Sequence, residues 1–382
     1  MGKYSKYIIF TPFTSFQLLT SVYYVKQIND KSIRKILIWT NFTKENIPIQ
    51  KIEKYFDKVI VIKDFYKENI IKKQFFKLVN AGWLFCFSDW YKYLAKDKEK
   101  ERILICFSDQ NILTHKIATE INRYKGQIIL VEEGVNTYLI PENKKARDWY
   151  FNKLIGAKSS EYIGQFEGIS TFFVRHPESL PQIKKNGRKV ILQNDIFLEQ
   201  SWIKEFIDNS RNAMFSCDIL WLGQPLISDN IEDNTQIELL KQLGQYGYQI
   251  IVRKHPRESA KKYAPLTNIK NICMFDAGDN GWLPIEVFAK LFTAKVILSA
   301  YSSAGINMCN YMKKCKCIFC YPMFGLKIDK SKITGEFSTV TTTKEIIECI
   351  NNKQNYLIEE NQLEQINQNK DIQYIQNILY DA

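Results

Sequence analysis

The sequence predicts an α/β protein made of two Rossmann-like, doubly wound halves, and three observations carry that expectation. Short β-branched runs alternate with longer amphipathic stretches, the pattern of βαβ units around a buried parallel sheet. The alternation occurs twice, with an irregular stretch of chain between the two series. At 382 residues the chain is also past the size at which one hydrophobic core keeps growing, so two domains are the default.

The first series has candidate strands at 7–10, 35–40, 58–62, 102–107 and 127–131, with helical patterns at 16–28, 67–79 and 111–124. The second has strands at 218–222, 249–253, 271–275, 295–300 and 317–321, with helical patterns at 235–246, 285–292 and 303–313. Residues 172–212 carry Pro177, Pro181 and Gly187 and read as the connection. The expected boundaries are therefore an N-terminal domain over 1–175, a connecting segment over 176–215 and a C-terminal domain over 216–359. A last helix within 360–382 is expected to pack back across both domains, which would face each other across a cleft.

Apolar residues make up 45% and charged residues 25% of the chain, which argues against disorder. Lys and Arg outnumber Asp and Glu by 53 to 41, a net charge of +12 that attracts anions of many kinds. The basic residues are spread along the chain rather than run together, so charge alone selects no partner, and no nucleic acid is expected. Residues 67–96 interleave lysines with Phe75, Phe76, Trp83, Trp90 and Tyr91. That mix suits an anionic membrane surface, but it equally suits a helix that buries its aromatic face and shows lysine to water. The second reading is preferred, with peripheral membrane association kept as the alternative.

Nine cysteines, several inside apolar strands as Cys106 and Cys273 are, indicate a reduced protein and not a disulfide framework. Cys315, Cys317 and Cys320 invite a zinc reading, but no second ligand pair with metal spacing accompanies them. The N-terminus enters a strand without a long apolar segment, and no apolar run reaches membrane-spanning length. A cytoplasmic location, possible at the inner face of a membrane, is the expectation.

In an open parallel sheet ligands bind beyond the carboxyl ends of the strands, and the polar residues of interest follow apolar runs. The strand at 127–131 leads into Glu132-Glu133-Gly134, where adjacent carboxylates can supply a general base and raise one another's pKa. The strand at 249–253 ends in Arg253-Lys254-His255-Pro256. An imidazole flanked by two cations can meet a phosphate, and Pro256 fixes the turn. A competing His176-Pro177 lies in the irregular stretch and ranks lower. The strand at 295–300 leads to Ser302 and Ser303 at a helix start, an anion site in waiting or a plain cap. Glu286 follows Pro284 at another helix start, where it can accept from ribose hydroxyls or simply complement the helix dipole. Ser15 and Gln17 follow the first strand, and Gly223 the first strand of the second series.

Each of these features alone fits an ordinary structural role; their order does not. A carboxylate pair in the first half, then His-Pro, Pro-x-Glu and Ser-Ser in the second, resembles the bacterial GT-B sialyltransferases and polysialyltransferases. The resemblance implies a metal-independent, inverting transfer of sialic acid from CMP-sialic acid to a glycan, such as a galactoside or the sialylated end of a capsule or lipooligosaccharide. By it, Glu132 is the general base with Glu133 as the alternative, and His255 assists departure of the phosphate. Ser302 and Ser303 hold that phosphate and Glu286 the ribose. Arg253, Lys254, Pro256 and Gly223 lie near the nucleotide, and Ser15 and Gln17 near the sugar. No cofactor is implied, and no Asp-x-Asp metal motif is present. The rival readings are another CMP-linked nonulosonic acid or Kdo as donor, a non-catalytic glycan-binding protein, and a nucleotide-sugar epimerase on the same fold.

Overall fold

The computed structural model describes residues 5–40, 47–62, 70–96, 100–140, 149–196, 202–203, 205–206, 214–226, 234–255, 258–312, 315–328, 337–352 and 370–380. The chain divides into two compact units, Met1–Ile196 with Ile366–Ala382, and Phe197–Gln365.

In the first unit the strands are β1 (Lys6–Thr11), β2 (Ile33–Thr40), β3 (Lys58–Ile62), β4 (Glu101–Cys106), β5 (Gln127–Val131), β6 (Thr171–Val174) and β7 (Lys189–Leu192). They form one sheet in the order β3-β2-β1-β4-β5-β6-β7, every pair parallel. The helices are α1 (Ser15–Gln27), α2 (Ile49–Glu53), α3 (Ile70–Asn80), α4 (Asp89–Ala95), α5 (Ile112–Arg123), α6 (Trp149–Leu154) and α7 (Gln182–Lys185). The central strands are apolar on both faces: Ile8, Ile9, Phe10, Leu104, Ile105, Ile129 and Leu130 are fully buried. A sheet covered by helices on both sides requires this, and it is why these strands read as continuous apolar runs.

The second unit repeats the plan with β8 (Phe215–Leu222), β9 (Ile250–Arg253), β10 (Ile272–Met274), β11 (Phe292–Ser299), β12 (Lys316–Phe319) and β13 (Ser338–Thr339). Their order is β10-β9-β8-β11-β12-β13, again parallel throughout. Helices α8 (Asn234–Gln245), α9 (Ser303–Tyr311) and α10 (Thr343–Asn351) belong to it. Two α/β halves with Rossmann-like sheets are therefore present, as expected.

The boundaries differ from the expectation. The stretch assigned to a connection contains β6 and β7, and β7 extends the first sheet by pairing Lys189 to Leu192 with Thr171 to Val174. Both strands are only four residues long, and β7 is a half-exposed edge flanked by Gly187 and lysines, so its apolar signal was diluted. The final helix, α11 (Lys370–Tyr380), belongs to the first unit. Its Asp371 is buried and accepts from Tyr24 Oη at 2.8 Å and from the Asn194 N–H at 3.0 Å. Lys6 Nζ donates to the Ile378 carbonyl at 3.1 Å. Residues 360–369 of the segment expected to hold this helix lie outside the described residues.

Candidate active site

The carboxyl ends of β1, β4, β5 and β6 lie side by side, and the Glu132-Glu133-Gly134 turn leaves from β5. Gly134 has φ 135° and ψ −153°, a conformation that side chains resist and glycine adopts freely. The turn enters a 3-10 segment, Val135–Tyr138, whose Thr137 Oγ1 accepts from the Glu133 N–H at 2.9 Å.

The two glutamates have opposite environments. Glu132 is 3% exposed and fully engaged. Arg175 Nε and Nη2 donate to its Oε1 at 3.0 and 2.6 Å, and the Arg175 N–H donates to Oε2 at 2.7 Å. Tyr138 Oη also donates to Oε2, and burial together with this carboxylate pushes the Tyr138 phenol well up. Such a carboxylate is an anchor that ties β5 to the end of β6. Glu133 is half-buried, and its carboxylate has no hydrogen-bond or ion-pair partner among the described residues. Burial, and secondarily the negative charge of Asp109, raise its pKa to about 7. A general base working near neutral pH needs that value.

Three residues with no role assigned from the sequence build the surroundings of this turn: Arg175 and Lys184 bond to it and to its 3-10 segment, and Asp109 fixes the neighbouring 160–166 loop. Asp109, fully buried after β4, accepts from Ser160 Oγ at 2.6 Å and from the N–H groups of Gly164 and Phe166 at 2.7 and 2.8 Å. Lys184 donates to the carbonyls of Thr137 and Leu139 at 2.7 and 2.9 Å, and burial lowers its pKa to about 8. Arg175 comes from the stretch read as a connection; the apolar run of β6 just before it was the available signal. The competing His176 follows directly, and its N–H donates to Tyr138 Oη at 3.1 Å.

Ser15 and Gln17 lie at the start of α1, just past β1. Thr14 caps this helix by accepting from the Gln17 N–H, and the Arg175 guanidinium lies 5.9 Å from the Phe16 ring. The structure thus brings the α1 start and the glutamate turn together. Gln17 is 1% exposed and its Oε1 accepts from the Phe13 N–H at 2.7 Å, so it braces the β1–α1 loop. Ser15 is buried.

In the second unit, His255 lies two residues past β9 and is half-exposed. Its N–H donates to Glu258 Oε2 at 2.8 Å, an oxygen that also accepts from Tyr263 Oη at 2.9 Å. Lys262 Nζ meets the other oxygen at 2.5 Å, a pair in which both side chains are buried. Gly223, at the end of β8, makes room for this arrangement. A Cβ there would fall 2.3 Å from both Glu258 Oε2 and Tyr263 Oη. Gly223 therefore acts through the backbone that carries His255.

Arg253 was expected near a nucleotide, but its Nη2 donates to the carbonyls of Gly281 and Leu283 at 2.8 and 3.1 Å. It steadies the turn that leads to Glu286. Lys254 is half-buried, and its ammonium has no partner among the described residues. Pro256 lies outside the described residues.

Ser302 is the N-cap residue of α9 but makes no side-chain capping bond, and Ser303 opens the helix; both are half-exposed. The loop before them is fixed from two sides. The Ser302 N–H donates to Ser299 Oγ at 3.1 Å, and the Tyr301 N–H to Gln224 Oε1 at 2.6 Å. Glu286 is 4% exposed, and its Oε1 accepts from Asn307 Nδ2 on α9 at 3.0 Å. Burial and this bond make it a support for the serine helix. The cysteines are free thiols, and Cys315, Cys317 and Cys320 are buried, as their strand setting suggested. Among the described residues no group of three or more His, Cys, Asp or Glu side chains is placed to hold a metal ion.

The alpha-2,8-polysialyltransferase (POLYST) family model matches residues 8–321, from β1 to the end of β12. The chain belongs to that family. It is therefore a glycosyltransferase of sialyltransferase type. No curated protein matches the chain. Among solved structures, the Staphylococcus aureus MnaA–UDP complex aligns with TM-score 0.57 at 13% identity, covering 92% of this chain and 90% of that one. Arabidopsis thaliana UGT89C1 with UDP-L-rhamnose aligns with TM-score 0.54 at 10% identity over 99% of each chain. A putative UDP-N-acetylglucosamine 2-epimerase from Listeria monocytogenes aligns with TM-score 0.51 at 10% identity, covering 84% of this chain and 79% of that one. At these identities the likeness is one of fold, and the fold is GT-B. Among the described residues no helix is long and apolar enough to cross a membrane.

Proposed function

We propose that this polysialyltransferase-family protein transfers sialic acid from CMP-sialic acid to a sialylated or galactoside acceptor, with inversion and without a metal ion. The observation that carries the reading is Glu133: a half-buried carboxylate at a strand end, without a partner among the described residues and with its pKa raised to about 7. Glu133 takes the proton of the attacking acceptor hydroxyl, while Glu132, locked by Arg175 and Tyr138, holds the turn. This reverses the order of preference that the family resemblance suggested.

On the donor side, His255 supports departure of the CMP phosphate from a backbone that Glu258 fixes. Ser302 and Ser303, with the free N–H groups at the start of α9, receive that phosphate. Lys254 adds a positive charge nearby in sequence. We place the positioning role of Glu286, through Asn307, ahead of a ribose contact. A monophosphate leaving group neutralised by such donors needs no divalent ion, and its departure builds oxocarbenium character on the sugar.

Family membership supports a transferase over an epimerase or a glycan-binding module. Incubation with CMP-sialic acid and an oligosialic or galactoside acceptor tests the proposal. CMP release at the same rate with and without EDTA is expected. Absence of CMP release with every acceptor would overturn the donor assignment, and loss of release in EDTA would overturn metal independence.

A further inference from the structure

The aromatic-basic segment 67–96 separates into two sets of side chains. Residues 67–69 lie outside the described residues. The inner set is satisfied: Trp90 is fully buried, its Nε1 donates to the Asn80 carbonyl at 3.1 Å, and Phe85 stacks on it with centroids 6.1 Å apart. The outer set is not. Phe75, Trp83, Leu84 and Phe87 are 59%, 67%, 38% and 61% exposed, and Leu154 at the end of α6 is 66% exposed. These five are half of the ten large apolar side chains that stand exposed among the described residues. Their concentration is therefore a feature of this face and not of the surface in general.

The face is built, not frayed. The Trp83 N–H donates to the Ile155 carbonyl at 2.9 Å, directly joining the Trp83 turn to Leu154. The Leu84 N–H donates to the Leu78 carbonyl at 3.3 Å and the Phe87 N–H to the Leu84 carbonyl at 3.0 Å. Phe75 lies one helical turn before Leu78 on α3, on the same side. Lys77 Nζ, 3.4 Å from Asn152 Oδ1, ties α3 to α6.

Its charge is predominantly positive. Residues 70–96 contain five lysines and one aspartate, and residues 149–158 contain two lysines and no acid. Of these, Lys92, Lys96, Lys153 and Lys158 are exposed, as is the single aspartate, Asp89. Exposed Trp, Phe and Leu ringed by lysine is the composition that seats in the headgroup region of an anionic bilayer. The rings enter the interface and the ammonium groups meet lipid phosphates. We infer that the Trp83–Phe87–Leu154 face docks the protein onto an anionic lipid surface, peripherally and reversibly. The inference is independent of the donor and of the catalytic assignment.

Co-sedimentation of the full chain with phosphatidylglycerol-containing and pure phosphatidylcholine vesicles tests it. Binding to the anionic vesicles is expected to be roughly tenfold or more stronger and to weaken in high salt. The variants Trp83→Ser/Phe87→Ser and Lys92→Glu/Lys153→Glu should each reduce it by roughly tenfold or more, with unchanged circular dichroism. Brominated lipid should quench the wild-type fluorescence and quench Trp83→Phe much less. Equal binding by wild type and both variants, or no binding to anionic vesicles, would overturn the inference. So would concentration-dependent dimers that the Trp83→Ser/Phe87→Ser variant abolishes without any vesicle binding by wild type, since a second copy would then be the occupant.

Discussion

Glu132 and Glu133 share a peptide bond, yet one is saturated by Arg175 and Tyr138 while the other meets only the distant charge of Asp109. This difference underlies the roles proposed for them. A base whose pKa lies near 7 is protonated in acid, so turnover should rise with pH through about 7 as Glu133 ionises. Asp109→Asn removes one cause of the shift and should move that limb to lower pH in a kcat/KM profile. The same shift bears on stability with a definite sign. The folded state holds the Glu133 proton more tightly than the unfolded state, so this group's contribution falls as pH rises from the ordinary carboxylate range through about 7. Arg175 is a structural partner in this account. Arg175→Ala leaves a buried carboxylate unpaired and should cost about 3–5 kcal/mol in denaturant unfolding.

Among the elements, the long apolar strands were legible because burial on both faces demands continuous apolar runs. β6 and β7 were not, since each is four residues long and β7 is a half-exposed edge. That omission hid the role of Arg175 and with it the distinction between the glutamates, which depends on a contact 43 residues away in sequence. The donor-side loops show the same limit. His255, Ser302 and Ser303 could be read from strand ends and a helix start, but Glu258, which carries the His255 backbone, lies beyond a strand end in a buried pair with Lys262. Arg253 could be read as a cation after a strand, but its carbonyl partners at Gly281 and Leu283 could not. Gly223→Ala tests how this end of β8 works. The added methyl should push Glu258 away and weaken CMP binding roughly tenfold, with a stability loss of about 1–3 kcal/mol; isothermal titration with CMP measures it.

At the scale of the molecule, the two units have separate assignments. In the proposed function the first supplies the base and the acceptor side, the second the nucleotide side. CMP alone should therefore slow hydrogen exchange around residues 253–258 and 299–305 in the second unit, and leave the Glu132–Tyr138 turn of the first unchanged. Protection confined to the first unit would reverse the assignment. The GT-B plan, visible in the doubled strand-helix pattern, accommodates transferases and epimerases alike. Function therefore rests on the residues at the strand ends and on family membership.

The most direct test compares kcat for CMP-sialic acid turnover in wild type, Glu133→Gln and Glu132→Gln, with thermal unfolding of each. Glu133→Gln should keep its melting temperature and lose about 10²–10⁴-fold in kcat, the worth of a general base. Glu132→Gln should lose melting temperature first and keep a far larger share of its rate while folded. A Glu133→Gln enzyme that turns over normally, beside an inactive Glu132→Gln enzyme of unchanged stability, would contradict the account.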